Sequence, residues 1–138
     1  LTHDDNHRIK VKLCGFESVQ FIGETCETSL DEETDGSIRC YTAPEVLLKP
    51  STNGKAQDIW SIAAIFVEVI RGRRLFHRAS NDKNQIKCIL DVIGPITPED
   101  LEFPLTSSSM QFVRDLKPKG KGLDYSLRDA NNIHPQLL

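Results

Sequence analysis

The chain has 138 residues, 38% hydrophobic and 27% charged, a balance that argues against a disordered or fibrous class and leaves room for one modest core. A formal net charge of -3 is too mild to steer the molecule onto nucleic acid or a membrane surface, and no apolar run reaches the roughly 20 residues that a bilayer span needs. The four cysteines, Cys14, Cys26, Cys40 and Cys88, include no Cys-x-x-Cys pair, so neither a zinc ribbon nor a thioredoxin-type site is supported; reduced, partly buried thiols of a cytosolic protein are the simpler reading.

The first residues, Leu1-Thr2-His3-Asp4-Asp5, carry neither a basic nor an apolar targeting region, and without an initiator Met the start reads as a cut. Residues 8–13 alternate polar and apolar, with Ile9, Val11 and Leu13 on one face, the period of a half-buried strand. Asp4-Asp5-Asn6 supplies turn chemistry before it, so the pattern predicts the second strand of a small hairpin. From Gly15 to about Ile38 no period is sustained. Glu24, Glu27, Asp31, Glu32, Glu33 and Asp35 fall in this stretch with no basic residue among them, which predicts a long, solvated surface loop.

A short helix is expected from Ala43-Pro44-Glu45, because Pro suits a first helical turn and Glu complements the dipole there. After the breaker Pro50-Ser51-Thr52-Asn53-Gly54 comes the strongest element, over residues 55–71. Its centre, from Ile59 to Ile70, is apolar on nearly every face, and such a helix must be surrounded by protein. Gly72 ends it, with Arg71, Arg73 and Arg74 where cations suit a helix C-terminus. Residues 82–93 place Ile86, Ile89, Leu90 and Ile93 at amphipathic spacing, closed by Gly94-Pro95. A capped single turn is expected at Thr97-Pro98-Glu99-Asp100-Leu101, one more helix over residues 107–116, and a basic loop at Lys117, Lys119 and Lys121. There is no internal repeat and no convincing domain boundary.

Three fragments, in order, carry a family resemblance. Val11-Lys12-Leu13-Cys14-Gly15-Phe16-Glu17 resembles the strand that leads into the Asp-Phe-Gly motif of protein kinases. Tyr41-Thr42-Ala43-Pro44-Glu45 contains the Ala-Pro-Glu that closes a kinase activation segment. Asp58-Ile59-Trp60-Ser61, on the all-apolar helix, is similar to the kinase Asp-x-Trp-Ser signature. Each tripeptide alone is weak evidence; the ordered set around a buried helix is specific. Finer detail resembles the MAP kinase branch: residues 58–76, then Gln85-Ile86-Lys87-Cys88-Ile89-Leu90 with its linker, then Phe112-Val113-Arg114-Asp115-Leu116, similar to the insert of those enzymes. The resemblance implies a mainly helical, partial kinase C-lobe with a remnant β-hairpin. It also implies a strand at 8–14, an activation segment at 15–45, and C-lobe helices with the insert at 46–138. A rival alignment that ends the kinase domain at His134-Pro135 requires a large deletion.

Phosphoryl transfer is mostly positioning and charge neutralisation, so missing parts are informative. The resemblance places the glycine-rich loop, the strand lysine with its helix glutamate, and the catalytic-loop Asp and Asn upstream of Leu1. The metal-binding Asp of Asp-Phe-Gly falls at position 15, where Gly15 has no side-chain oxygen for magnesium. Phe16 is retained, and Glu17 sits where the motif's glycine would be. Ile38 stands where the family has a Thr near the catalytic Asp, and Thr42 where the MAP kinase branch has an Arg. The Arg partner of Glu45 in the lower lobe is absent on this alignment, and Asp58 is implied to hold the catalytic-loop backbone. Glu33-Thr34-Asp35 occupies the position of the regulatory Thr-x-Tyr pair. Its two carboxylates could imitate a phosphorylated lip with Thr34 as a phosphosite, against the plainer reading of an acidic loop.

Two further patterns have plainer explanations. His3-Asp4-Asp5-Asn6-His7 resembles a His-Glu-x-x-His metal site, but it runs straight into a strand, so a turn is the better reading. The arginines after residue 70, with His77 and Arg78, could bind phosphate; helix capping explains them more simply. The expectation is a degenerate MAP-kinase-like serine/threonine kinase module acting through protein partners on its exposed C-lobe surface or through missing kinase segments. No cofactor is expected for this chain, although ATP and magnesium serve the family; nucleic acid and membrane are not expected partners, and the location is cytoplasmic, with the nucleus left open. The alternative is a piece of an ATP-dependent serine/threonine kinase whose N-lobe and catalytic loop lie outside the chain.

Overall fold

A computed structural model describes residues 2–3, 9–16, 19, 21, 36–48, 54–96, 105–117, 120, 122 and 123. Two strands, β1 (Thr2–His3) and β2 (Ile9–Lys10), pair antiparallel with Thr2 opposite Lys10 and His3 opposite Ile9. Among the described residues five helices follow: α1 (Gly36–Arg39), α2 (Pro44–Leu48), α3 (Lys55–Arg71), α4 (Asp82–Ile93) and α5 (Ser107–Asp115), of which α1, a single turn, begins within the stretch expected to be a loop. The described structure is therefore mainly helical, with a small hairpin at its start.

The hairpin is shorter than the alternating pattern predicts. After Lys10 the chain leaves the ladder, and Val11 and Leu13 are exposed at 78% and 84%. Alternation specifies a half-buried strand only where something covers the apolar face, and nothing among the described residues covers this one.

The core is built where α2 lies against α4. Leu47 and Leu48 of α2 meet Ile86, Ile89 and Leu90 of α4, with Ala64 of α3, Leu75 and Phe76 of the intervening turn, and Val113 of α5. Ile86, Ile89 and Leu90 are fully buried, and each such side chain contributes about 1.5–3 kcal/mol relative to exposure. The amphipathic spacing of α4 is thus the main organiser. Its start is fixed by Asn81, whose side chain accepts a hydrogen bond from the Asn84 amide at 2.8 Å. Its end is fixed by the Gly94 N–H, which donates to Leu90 O.

Helix α5 begins in the same way, with Thr106 Oγ1 accepting from Ser109 N. Ser109 Oγ donates in turn to Leu48 O at 3.1 Å, joining α5 to the end of α2. Lys83 lies 5.7 Å from the centre of the Phe112 ring, a cation–π contact that ties α5 to α4.

Helix α3 has the predicted length and ends at Gly72 in the left-handed region, φ 66°. Its environment differs from the expectation. Only Ala64 is fully buried, and Ile59, Ile62, Ile65, Phe66 and Val69 are exposed. Its polar residues Ser61 and Glu68 instead face the protein, where each has a bonded partner. The inward face is mixed, with Ala64, Trp60 and Val67 at the core beside Ser61 and Glu68. Trp60 turns inward and stacks on Phe76 with centroids 5.6 Å apart and an 8° interplanar angle.

Candidate functional site

The residues singled out in the sequence fall into two separate groups. The first is the segment Cys14-Gly15-Phe16 after β2, which the resemblance sets against the Asp-Phe-Gly motif. Cys14, Gly15 and Phe16 are exposed, and Gly15 takes φ 80°, a left-handed conformation that glycine adopts freely. Phe16 stands 64% exposed and is not part of the core cluster of the described residues. Glu17 and Thr34 lie outside the described residues, as do Glu33, Asp35 and the turn at 97–101.

The second group is brought together where the link between α1 and α2, centred on Tyr41, meets α3. Ala43 and Pro44 are buried at the start of α2, Pro44 providing the first helical turn without needing an amide partner. The Ser61 hydroxyl donates to Tyr41 O at 2.8 Å and lies 3.1 Å from Gln57 O. Tyr41 donates its phenol proton to Glu68 Oε2 at 2.7 Å. Two rungs seven residues apart on α3, nearly two helical turns, therefore hold one tyrosine by its backbone and its ring. Thr42 donates to Ile38 O at 3.1 Å, closing the turn between α1 and α2. Arg39, itself buried, reaches Asp82 Oδ1 at 2.9 Å and anchors the end of α1 to the start of α4.

A hollow of about 180 Å³ opens between this segment and the N-terminal turn of α3. Ile38, Thr42, Ala43 and Val46 line one side, Gln57, Asp58 and Ser61 the other. Asp58 is exposed at its edge, where a carboxylate can accept hydrogen bonds from backbone amides or pair with a cation. The hollow is of side-chain size, well below an ordinary small-molecule pocket of about 300–1,000 Å³.

Burial and hydrogen bonding perturb three groups near these anchors. The hydrogen bond to Glu68 raises the Tyr41 phenol above its ordinary value, with burial adding to it. Burial raises the Cys40 and Cys88 thiols. All three shifts favour the neutral form, so these groups stay protonated at neutral pH and are poor nucleophiles. Among the described residues no cluster of His, Cys, Asp and Glu could hold a metal ion. His3 lies in β1, a strand; residues 4–8, where the turn is expected, and His7 with them, lie outside the described residues.

Several anchors were not evident from the sequence. Gln85 is fully buried, donating from Nε2 to His77 O and accepting from Ala79 N, both at 3.1 Å. Its signal was a polar residue in phase with Ile86 and Ile89 on the core face of α4. The Tyr41–Glu68 and Arg39–Asp82 pairs span 27 and 43 residues, and no local pattern announces them. Of the predicted motif residues, Trp60 serves the core through Phe76, and its indole N–H is buried without a partner among the described residues.

The Tyr41-to-Glu45 segment with its Ala-Pro-Glu, tied through Tyr41 to a long helix that carries Asp-x-Trp-Ser, fits the kinase C-lobe resemblance, and the comparison with known families agrees. The protein kinase domain family matches residues 1–123, and the chain belongs to that family. Its relatives are MAP kinases. The chain is 31% identical over 122 residues to mitogen-activated protein kinase 2 of Arabidopsis thaliana, covering 88% of this chain and 31% of that protein. It is 34% identical over 97 residues to mitogen-activated protein kinase homolog 1 of Petunia hybrida, covering 70% of this chain and 24% of the relative. To mitogen-activated protein kinase 2 of Pneumocystis carinii it is 32% identical over 111 residues, covering 80% and 31%. The chain thus spans about a third or less of these relatives' length, and it is a partial, mainly helical kinase C-lobe related to MAP kinases.

Proposed function

We propose that this chain is a degenerate MAP-kinase-like serine/threonine kinase module whose remaining role is to bind protein, without phosphoryl transfer of its own. The observation that carries the binding role is the outward apolar stripe of α3, with Ile59, Ile62, Phe66 and Val69 exposed at 65%, 60%, 63% and 48%. A stripe repeating at three- and four-residue intervals is the surface that a second helix covers, and its exposure to water is unfavourable until something does. Gly15 supports the absence of catalysis, because a position that should supply a magnesium ligand has no side-chain oxygen. ATP and magnesium are accordingly not cofactors of this chain, and its place is the cytoplasm, with the nucleus left open.

A second reading is favoured by the relatives, which are MAP kinases of which the chain spans about a third or less. On that reading the chain is a segment of an ATP-dependent serine/threonine kinase, and the α3 stripe and the hollow beside Asp58 are covered by kinase segments outside it.

A thermal-shift titration of the purified chain with ATP and magnesium, run beside light scattering, tests the proposal. A ligand bound only by the folded state adds about 2.7 kcal/mol at a hundredfold excess over its dissociation constant. The non-catalytic reading expects no shift at millimolar nucleotide and a folded, self-contained species. A concentration-dependent rise in melting temperature would overturn it. Soluble aggregate without a cooperative transition would favour the second reading.

A further inference from the structure

We draw no further inference here: the strongest candidate, the outward apolar stripe of α3 formed by Ile59, Ile62, Phe66 and Val69, belongs to the binding surface already described, and nothing in the structure shows what covers it.

Discussion

Replacing Gln85 by Met isolates one buried polar clamp at nearly constant volume. Gln85 has no exposed surface, and its amide makes two hydrogen bonds into the turn before α4, to His77 O and from Ala79 N. Each such bond contributes about 0.5–1.5 kcal/mol net, so losing both costs about 1–3 kcal/mol. His77 is exposed and Ala79 half-buried, so water can reach the released groups and the cost stays near the middle of that range. The thioether returns part of the loss by burying apolar surface. We therefore expect Gln85→Met to lose about 1–2 kcal/mol in urea unfolding followed by the fluorescence of Trp60, the chain's one tryptophan. Gln85→Glu refines the test. A neutral carboxylic acid donates to His77 O as the amide does, whereas a carboxylate faces that carbonyl with like polarity. The folded-state pKa of this Glu is thus raised above the usual carboxylate value, and the stability it contributes is present at acid pH and lost as pH rises through that pKa. Its deficit relative to the parent should shrink towards pH 4. A Met variant within about 0.5 kcal/mol of the parent, the range of an ordinary surface change, would refute the clamp. A Glu deficit that ignores pH would refute its polarity.

The Tyr41 phenol, raised by Glu68, favours folding while neutral, so that contribution is present below about pH 10 and lost as pH rises through the raised value. Tyr41→Phe should flatten this alkaline loss in melting curves; an unchanged profile would remove Tyr41 from the account. The buried Cys40 thiol acts with the same sign from about pH 9 upward, so the comparison is made in a Cys40→Ala background. Asp82→Ala leaves the buried Arg39 guanidinium without its 2.9 Å partner, and a loss of about 1.5–3 kcal/mol is expected from a hydrogen bond to a charged group; a double-mutant cycle with Arg39→Met should recover most of it as coupling. Trp60→Phe keeps an aromatic ring against Phe76 and removes the buried, unpartnered indole N–H. The change should cost less than about 1 kcal/mol in urea unfolding followed by far-UV circular dichroism, since the variants lack the tryptophan probe, whereas Trp60→Ala should cost about 3–5.

These changes divide along a line that also separates what the sequence reveals from what it hides. The ends of α3 and α4 follow from Gly54, Gly72, Asn81 and Gly94, residues whose backbone preferences act within one turn. The core face of α4 follows from the spacing of Ile86, Ile89 and Leu90. The kinase relationship is likewise local, carried by Tyr41-Thr42-Ala43-Pro44-Glu45 and Asp58-Ile59-Trp60-Ser61 in order along the chain. Val11 and Leu13 show where periodicity fails, because alternation records which face would be buried and not whether a covering surface exists.

The sequence by itself determined α2, α3, α4 and α5 and the family, since each rests on short-range stereochemistry or on ordered motifs, whereas α1 lies at the end of a stretch with no sustained period. Only the tertiary structure decided which way α3 faces. An all-apolar helix has no preferred side in its own pattern, and the choice falls to contacts 20 to 27 residues away, where Tyr41 binds Ser61 and Glu68. Satisfying those polar groups against the protein turns Ile59, Ile62, Phe66 and Val69 outward, and the exposed stripe follows from that choice.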